Sequence, residues 1–405
     1  MRPRILFVDD QPKVLDGLRR SLRGMRYNWE LLFANSGPEA IEKLCMTSVD
    51  VVISDMRMPG MDGEELLTKV KKYSPRVIRI ILSGQTNEET MLRLVGDNHQ
   101  FLSKPCSANT IVDTVNRALS FRDLLNNESL QSAVSSLDDL PSPPAIYDEL
   151  VQELRSPEPS THNVAKIISR DVGLTVMILK VASSGYFSAG SSISNPFQAV
   201  SRLGIERTNA LVLSHGVTSQ RPVSQIGGFS LERLWEHSVA CGSLAQAIVC
   251  AENLDQKTAD NAFVAGLLHD VGSLVFAVNK PEQYEEVIAA AMYEDVTRLE
   301  AERQVFGATH ALVGAYLVEL WGLSNNISEA IAYHHTPLDH PSCSFDMLTA
   351  IHVAEALTQT FRRTTLDDIL PAVVDIGYLR DVGGANRLST WAELLRNEDS
   401  GREQP

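Results

Sequence analysis

The sequence has few cysteines, little positive charge and no long apolar run, and each shortage argues against a class of protein. The five cysteines among 405 residues are scattered without a Cys-x-x-Cys pair, so neither a disulfide framework nor a zinc ribbon is indicated. The formal net charge of −15 disfavours nucleic-acid binding, which needs a basic surface. No apolar stretch approaches the roughly 20 residues that span a membrane, and no signal-type segment precedes the first predicted strand. We therefore expect a cytoplasmic protein with reduced thiols that binds neither nucleic acid nor a membrane.

Acidic residues end two apolar runs in the first part of the chain. Residues 4–8 form a nearly continuous apolar run that is followed by Asp9 and Asp10, and residues 51–54 lead into Asp55. Such short, continuous apolar runs are typical of strands that are buried on both faces of a parallel sheet. Because the carboxyl ends of these strands meet at one edge of an open α/β sheet, we expect the three carboxylates to converge there. A hard divalent cation with oxygen ligands, Mg²⁺, would relieve their mutual repulsion.

Two further predicted strands end in a hydroxyl group and an ammonium group. Residues 77–82 are followed by Ser83, and residues 100–103 are followed by Lys104. Lys104 can pair with a carboxylate or its phosphoryl group as a compact charge, and Ser83 can donate to a phosphoryl oxygen. Taken singly, each of these polar residues is most simply a solvated strand end. Their order along the chain favours a single site.

Residues 1–122 resemble the receiver domains of two-component response regulators. The residues that carry this resemblance are Asp9, Asp10, Asp55, Met58-Pro59-Gly60, Asp62-Gly63, Ser83, Phe101 and Lys104-Pro105. The resemblance implies a flavodoxin-like, doubly wound, five-stranded parallel sheet. It also implies that Asp55 accepts a phosphoryl group from a sensor histidine kinase or a phosphotransfer protein. By the same resemblance, Asp10, Asp55 and the backbone carbonyl of Arg57 would hold Mg²⁺, and Asp9 would support the ion through water.

The resemblance further implies how the phosphoryl group would be sensed. Ser83 and Lys104 would act with Asp55 in the transfer, and Ser83 and Phe101 would form the switch pair. Added phosphoryl oxygens would draw the ends of the fourth and fifth strands inward, and Phe101 would rotate with them. This movement alters the face formed by the fourth helix, the fifth strand and the last receiver helix. We therefore expect phosphorylation to change dimerisation or the packing of the receiver against the rest of the chain.

A polar helical segment and a long helical region follow the receiver-like residues. At 405 residues the chain has room for two or three domains. Residues 123–137 are predicted to form a helical linker without a sustained heptad, which leaves a homodimer through this segment open. Residues 138–360 begin with several prolines and then show helix starts and stops without alternating strands, as in an all-α domain. We expect a C-terminal helical extension over 361–396 and a disordered tail over 397–405.

The helical region carries imidazoles and a carboxylate that could hold a metal ion. They are His237, His269, Asp270, His310, His334 and His335. Such ligands suit zinc, iron or manganese, and a metal-activated water hydrolyses phosphodiesters. The alternative is that His269 and Asp270 form a hydrogen-bonded pair at a helix end and that His334 and His335 pack against the neighbouring helix.

Residues 138–360 resemble the HD superfamily of phosphohydrolases and, more closely, its HDOD branch. The matching motifs are Leu267-Leu268-His269-Asp270-Val271-Gly272, His310 with Gly314, Trp321-Gly322-Leu323, and His334-His335. HDOD domains are regarded as non-catalytic output modules, so the resemblance implies a vestigial HD site. Thr336-Pro337 follows the histidine pair where HD-GYP cyclic-di-GMP phosphodiesterases have Glu and a Gly-Tyr-Pro signature. Glu355 stands where the catalytic family has an Asp ligand.

Two functions from different classes are compatible with these features. The favoured one is a response regulator whose HDOD domain binds a downstream signalling protein, catalyses no reaction and holds no transition metal. The alternative is a phosphorylation-gated, metal-dependent phosphohydrolase that acts on cyclic dinucleotides. In either case a signal passes only if the two phosphorylation states differ in their interactions.

Overall fold

Five short parallel strands followed by a long series of helices make up the computed structural model of this protein. The residues that the structure describes are 2–23, 25, 28–83, 100–125, 127–136, 144–156, 158–183, 193, 195–218, 229–293, 296–341, 344–361 and 374–402. The strands are β1 (Arg4–Val8), β2 (Glu30–Ala34), β3 (Val51–Asp55), β4 (Ile78–Ser83) and β5 (Gln100–Ser103). They pair in parallel in the order β2-β1-β3-β4-β5. This order confirms the expected flavodoxin-like, five-stranded sheet.

Both faces of the sheet are covered by helices, which explains why its strands are apolar at nearly every position. The helices of this domain are α1 (Pro12–Arg23), α2 (Gly37–Met46), α3 (Gly63–Tyr73) and α4 (Ala108–Leu124). Ile5 and Phe7 of β1 join the core formed with α1 and α4. Leu6 and Val8 join the core formed with α2 and α3.

The strand register brings the polar strand ends to one edge of the sheet. Val8 lies opposite Ser54, so Asp9 follows β1 at the level where β3 ends in Asp55. Asp55 in turn lies opposite Leu82 of β4. The carboxyl edge is therefore the only place where the acids that follow β1 and β3 can meet, as the sequence predicts.

The remainder of the described chain is helical, which confirms the expected all-α second part. Its helices are α5 (Glu128–Ser136), α6 (Pro144–Leu154), α7 (Thr161–Ile168), α8 (Val172–Ser183), α9 (Pro196–Leu203), α10 (Ile205–Thr218), α11 (Leu231–Ala251), α12 (Gln256–Leu268), α13 (Val271–Asn279), α14 (Pro281–Tyr293), α15 (Arg298–Phe306), α16 (His310–Leu320), α17 (Asn325–Tyr333), α18 (Met347–Phe361), α19 (Ile376–Asp381) and α20 (Leu388–Arg402), with short 3₁₀ helices at Pro337–Asp339 and Ala385–Arg387. Side chains of Ser160 and Asn195 cap the starts of α7 and α9, where their oxygens satisfy free backbone N–H groups. Helix α11 packs along α12, and both pack against α18.

Two parts of the chain differ from the sequence-based expectation. The linker helix α5 is more than a connector, because Leu130 and Val134 are buried and α5 packs on α13 and α16. The tail over 397–405 is predicted to be disordered, whereas residues 397–402 continue α20 in the structure. This helix is anchored by the buried Trp391, whose indole N–H donates to Glu252 at 2.9 Å, so the polar residues extend a turn that is already formed. Residues 362–373 and 403–405 lie outside the described residues.

One helical stretch has the length and composition of a membrane span. Residues Gln256–Asn279 have a mean hydropathy of 1.5 over their most apolar window, and 89% of that window is buried inside the structure. Burial of this kind is typical of a core helix in a folded domain. Within the described residues, the stretch lies in the centre of the helical domain.

Candidate functional site

A lysine holds two carboxylates together at the carboxyl edge of the sheet. The Nζ atom of Lys104, which directly follows β5, donates to Oδ2 of Asp9 and to Oδ1 of Asp55, both at 2.7 Å. Asp9 and Asp55 are only 2% and 8% exposed. Burial alone would lower the pKa of Lys104, but the hydrogen bonds to Asp55 and Asp9 outweigh it and raise the pKa. The lysine therefore stays charged and fixes the two carboxylates.

Backbone contacts on either side hold the two carboxylates in position. The backbone N–H of Gln11 donates to Oδ1 of Asp9 at 2.9 Å, which leaves Oδ2 for the lysine. Behind Asp55, a Cβ atom at Gly63 would lie 2.3 Å from the carbonyl oxygen of Asp55. Glycine is therefore needed at the start of α3, so that the loop after β3 can fold closely against the strand.

The three acids fit a divalent cation. One carboxylate oxygen from each of Asp9, Asp10 and Asp55 lies within 4.8 Å of the others. Oδ1 of Asp10 is buried and makes no hydrogen bond, so a cation would satisfy an otherwise unpaired acceptor. These hard oxygen donors suit Mg²⁺. The Arg57 carbonyl as a ligand and the water-mediated role of Asp9 stay predictions.

The serine of the predicted switch pair lies at the same edge of the sheet. Ser83 ends β4 opposite Ser103 of β5, directly before Lys104. The side chains of Ser83 and Phe101 lie outside the described part of the structure, as do residues 84–99. The catalytic role of Ser83 and the switch pair therefore stay predictions.

In the helical domain, the structure brings all seven candidate residues into two adjoining groups. One group contains His237, His269, Asp270 and Glu355, and the other contains His310, His334 and His335. Within each group the candidate ligand atoms lie within 4.8 Å of one another. The rings of His269 and His334 have centroids 5.2 Å apart, so the groups share a border.

Glu355 joins two imidazoles from neighbouring helices. Its Oε2 bonds Nε2 of His237 at 2.6 Å and lies 2.9 Å from Nε2 of His269. The extra methylene that distinguishes Glu355 from the Asp of the catalytic family therefore does not keep its carboxylate out of the cluster. The position forms part of the group, as the HD resemblance implies.

Asp270 pairs with His310 and not with its neighbour in sequence. Its Oδ1 lies 3.1 Å from Nε2 of His310, whereas its Oδ2 is 3.8 Å from Nε2 of His269. The expected hydrogen bond between His269 and Asp270 is therefore wrong. Helix α12 ends and α13 begins at these residues. Nδ1 of His269 instead bonds the carbonyl of Gly266 at 2.6 Å.

The second histidine pair makes one contact between helices and one within its own helix. Nε2 of His335 lies 3.0 Å from Nε2 of His310 on α16. Nδ1 of His334 bonds the carbonyl of Ile331 at 2.7 Å, one turn earlier in α17. His335 thus contacts the neighbouring helix, and His334 is tied to its own.

Sequence reasoning missed Glu302, a buried carboxylate that orients His310. It accepts from the backbone N–H of His310 at 2.7 Å and lies 2.8 Å from Nδ1 of the ring. A carboxylate in this position fixes the orientation of a ligand imidazole. Its only sequence signal is the i,i+4 spacing from Arg298, which it contacts at 3.1 Å. That spacing fits an ordinary surface pair equally well.

Burial and neighbouring groups set the protonation states of the cluster. Burial would raise the pKa of Glu355, but His237 and His269 hold it well below its usual value. Burial and then the charge of His310 lower the pKa of His335 to about 3. Ionised carboxylates and neutral imidazoles are the forms that bind metals. Burial would lower the pKa of His269, but Cys241, Glu355 and Asp270 raise it well above its usual value. Nε2 of His269, Oδ1 of Asp270 and Nε2 of His334 are buried and make no hydrogen bond, so the groups of the cluster satisfy one another only in part.

Comparisons with known protein families identify both parts of the chain. The response regulator receiver domain model matches residues 5–116, and the HDOD domain model matches residues 140–337. The chain therefore belongs to the two-component response regulators and combines a receiver domain with an HDOD domain. A receiver domain supports control by phosphorylation and implies a histidine kinase or phosphotransfer partner.

Individual relatives support the same assignment over parts of the chain. The hydrogenase transcriptional regulatory protein HoxA of Cupriavidus necator is 34% identical over 122 residues, which are 30% of this chain and 25% of HoxA. An uncharacterized protein of Treponema pallidum is 25% identical over 271 residues, 64% of this chain and 48% of that protein. The chain thus spans less than half the length of either relative. The solved structure of the MmoQ response regulator from Methylococcus capsulatus has a TM-score of 0.51 at 20% identity, covers 63% of this chain and 98% of its own, and supports the fold alone.

Replacing Asp10 by Asn removes one of three like charges and replaces a carboxylate by a neutral amide, whose single oxygen is a weaker ligand for Mg²⁺. With Mg²⁺ at about 100 times its dissociation constant, the native protein should gain about 2.7 kcal/mol of unfolding free energy. Asp10→Asn should gain much less, and should unfold at a higher temperature than the native protein in metal-free buffer because repulsion is relieved. Calorimetry with and without Mg²⁺ measures both effects. The exposed Asp16 on α1 supplies a control, Asp16→Asn, that should keep the native response. An undiminished response in Asp10→Asn would place the ion elsewhere.

Proposed function

We propose that this response regulator is a non-enzymatic signalling adaptor. Asp55 accepts a phosphoryl group from a sensor histidine kinase or phosphotransfer protein in the cytoplasm, and the HDOD domain binds a downstream signalling protein. The observation that carries the first half is the bridge from Lys104 to both Asp9 and Asp55 at 2.7 Å. A cation between two buried carboxylates is the arrangement that a phosphoryl-transfer site needs, because negative charge accumulates there.

Asp55 would supply the nucleophilic oxygen for the transfer. Lys104 holds Oδ1 of Asp55, which leaves Oδ2 to attack the phosphorus of a phosphohistidine. The new O–P bond forms as the N–P bond breaks, and the imidazole leaves with the electron pair. Asp10 and Asp55 would hold Mg²⁺, with Asp9 supporting it through water, and the ion would supply positive charge for the phosphoryl oxygens. Lys104 stays charged and can follow the phosphoryl group, to which Ser83 would donate.

Strand β5 offers a short route from this site to the HDOD domain. Lys104 directly follows β5, and Gln100 begins the same four-residue strand. Nε2 of Gln100 donates to the carbonyl oxygen of Glu319 in α16 at 2.5 Å. If Lys104 turns from the carboxylate to phosphoryl oxygens, a small shift of β5 would act on α16 directly. This contact supports the expectation that phosphorylation changes the packing of the two domains.

The adaptor role of the HDOD domain is supported by its departure from the catalytic signature. Glu355 is engaged by the imidazole of His237 at 2.6 Å, although Oδ1 of Asp270 and Nε2 of both His269 and His334 make no hydrogen bond. Thr336-Pro337 follows the histidine pair in place of the Glu and Gly-Tyr-Pro signature of the HD-GYP phosphodiesterases. A domain with this core can act through its surface, by binding a partner whose affinity depends on the receiver state.

Beryllofluoride, an analogue of the phosphoryl group, tests the phosphoacceptor. In the presence of Mg²⁺ we expect the native protein to bind it with a stoichiometry of about one and Asp55→Ala to bind none, because the analogue needs the carboxylate oxygen. Isothermal titration calorimetry measures the binding. Asp16→Ala, which removes an exposed carboxylate on α1, should bind as the native protein does. Equal binding by Asp55→Ala would remove Asp55 from the proposed role.

Metal content and turnover distinguish the adaptor from a phosphohydrolase. We expect full-length protein that is purified without chelator to hydrolyse no cyclic dinucleotide when Mn²⁺, Fe²⁺ or Zn²⁺ is supplied, with or without beryllofluoride. Elemental analysis of the same sample reports whether the buried cluster holds a transition metal. Turnover that disappears in Asp270→Ala and persists in Asp339→Ala, an exposed position, would contradict the adaptor.

A further inference from the structure

The interface between the receiver and the HDOD domain includes a group of buried polar side chains. We call it the seam, and it is formed by Arg79, Gln100 and Arg117 of the receiver, Ser135 of α5, and Tyr316 and Glu319 of α16. All except Arg117 are at most 5% exposed. Permanent interfaces are generally apolar, whereas interfaces between domains that move apart are more polar. The seam is the polar part of an interface that also has an apolar part, because one buried hydrophobic cluster includes residues of both domains.

Ser135 contacts both domains from the linker helix. Its carbonyl oxygen accepts from Nη2 of Arg79 in β4 at 2.9 Å. Its Oγ lies 3.4 Å from the hydroxyl oxygen of Tyr316 in α16. Ser135 is fully buried, so opening the seam on either side of α5 would expose it to solvent.

Glu319 is a buried carboxylate of the HDOD domain whose cation comes from the receiver. Its Oε1 lies 3.2 Å from Nε of Arg117 in α4, and neither of these two atoms makes a hydrogen bond. Its Oε2 accepts from the hydroxyl of Ser328 in α17 at 2.9 Å. The Glu319 side chain is 0% exposed and the Arg117 side chain is 36% exposed. The arginine is therefore partly hydrated already, and the carboxylate depends on it.

Burying this carboxylate opposes closure of the seam. Burial raises the pKa of Glu319, and Arg117 and Ser328 only partly offset it. Removing one member of a buried ion pair is far more disruptive than replacing both by neutral groups, because the remaining charge stays buried. The seam should therefore tolerate the loss of both charges better than the loss of Arg117 alone.

We propose that Arg117 and Glu319 form an interdomain latch that holds the receiver against the HDOD domain in the unphosphorylated protein. Without Arg117, closing the seam buries an unpaired carboxylate, so the domains separate along α4 and α16. Gln100 bonds the backbone of the same Glu319, so a shift of β5 would loosen the latch from the receiver side. This control by phosphorylation rests on the proposed function, whereas the latch itself does not.

The test measures how often the seam opens in the full-length protein. A thiol is introduced by Ser135→Cys, and the rate at which a thiol reagent labels this position is followed by peptide mass spectrometry. When opening and closing are fast, this rate is proportional to the open fraction. Two native thiols are internal references, because Cys45 is exposed and Cys241 is buried in the HDOD core. Labelling of Cys241 reports unfolding of the domain itself.

In this background Arg117→Ala should raise the labelling rate at position 135 by roughly tenfold. This increase is smaller than that expected for a fully buried ion pair, because the guanidinium of Arg117 is partly exposed. Glu319→Gln alone should change the rate by less than about threefold, and the double variant should return close to the rate of Glu319→Gln. Labelling of Cys45 and Cys241 should stay constant throughout. Arg20→Ala, which removes an exposed arginine on α1, should have no effect.

Three results would overturn the latch: an unchanged rate in Arg117→Ala, a double variant that labels as fast as Arg117→Ala, or a parallel rise at Cys241. Adding Mg²⁺ and beryllofluoride to the parent protein tests the regulatory link separately. Faster labelling at position 135 supports control of the latch by phosphorylation. If the double variant returns to the rate of Glu319→Gln but beryllofluoride leaves the labelling rate unchanged, the latch stands and the proposed control by phosphorylation fails.

Discussion

The ammonium group of Lys104 is the contact on which the receiver site depends. Two buried carboxylates at the end of a parallel sheet would repel each other, and Lys104 lies 2.7 Å from both. Its raised pKa means that the charge persists at neutral pH. Because Lys104 directly follows an edge strand, the residue that holds the acids together is also tied to the strand that contacts the HDOD domain. In the proposed function, Lys104 therefore takes part both in phosphoryl transfer and in passing the signal to the HDOD domain.

The two polar clusters of the chain stabilise buried charges with different groups. At the receiver edge, one lysine bonds two of the three acids. Oδ1 of Asp10 makes no hydrogen bond, and a cation could bind it. In the HDOD domain, imidazoles and carboxylates pair with each other, as in the contact of Glu355 with His237 at 2.6 Å. Both clusters therefore keep unpaired buried atoms, which in the HDOD domain are Nε2 of His269, Oδ1 of Asp270 and Nε2 of His334. We assign the input chemistry to the receiver because its acids and lysine lie within the matched receiver domain, and the proposed binding role of the HDOD domain rests on its departure from the catalytic signature.

Local patterns predicted the sheet and the convergence of its acids, because strand burial and parallel topology leave Asp9 and Asp55 no other place to meet. They also predicted the helical second domain, whose helix ends carry cap residues such as Asn195. Contacts across the fold were not predictable. Gln100 and Glu319 are separated by 219 positions, and no local sequence pattern indicates that they contact each other. The adjacency of His269 and Asp270 in the sequence suggested a hydrogen bond between them that does not form. Their side chains point to different partners because one helix ends and the next begins at these residues.

Hydrogen exchange of α16 in the full-length protein measures most directly whether the receiver state reaches the HDOD domain. Peptides that cover His310–Leu320 would be followed by mass spectrometry with Mg²⁺ alone and with Mg²⁺ and beryllofluoride. Phosphorylation control through β5 predicts faster exchange in this helix when beryllofluoride is bound, and no change in Asp55→Ala. Unchanged exchange in α16 of protein that is saturated with beryllofluoride would contradict it.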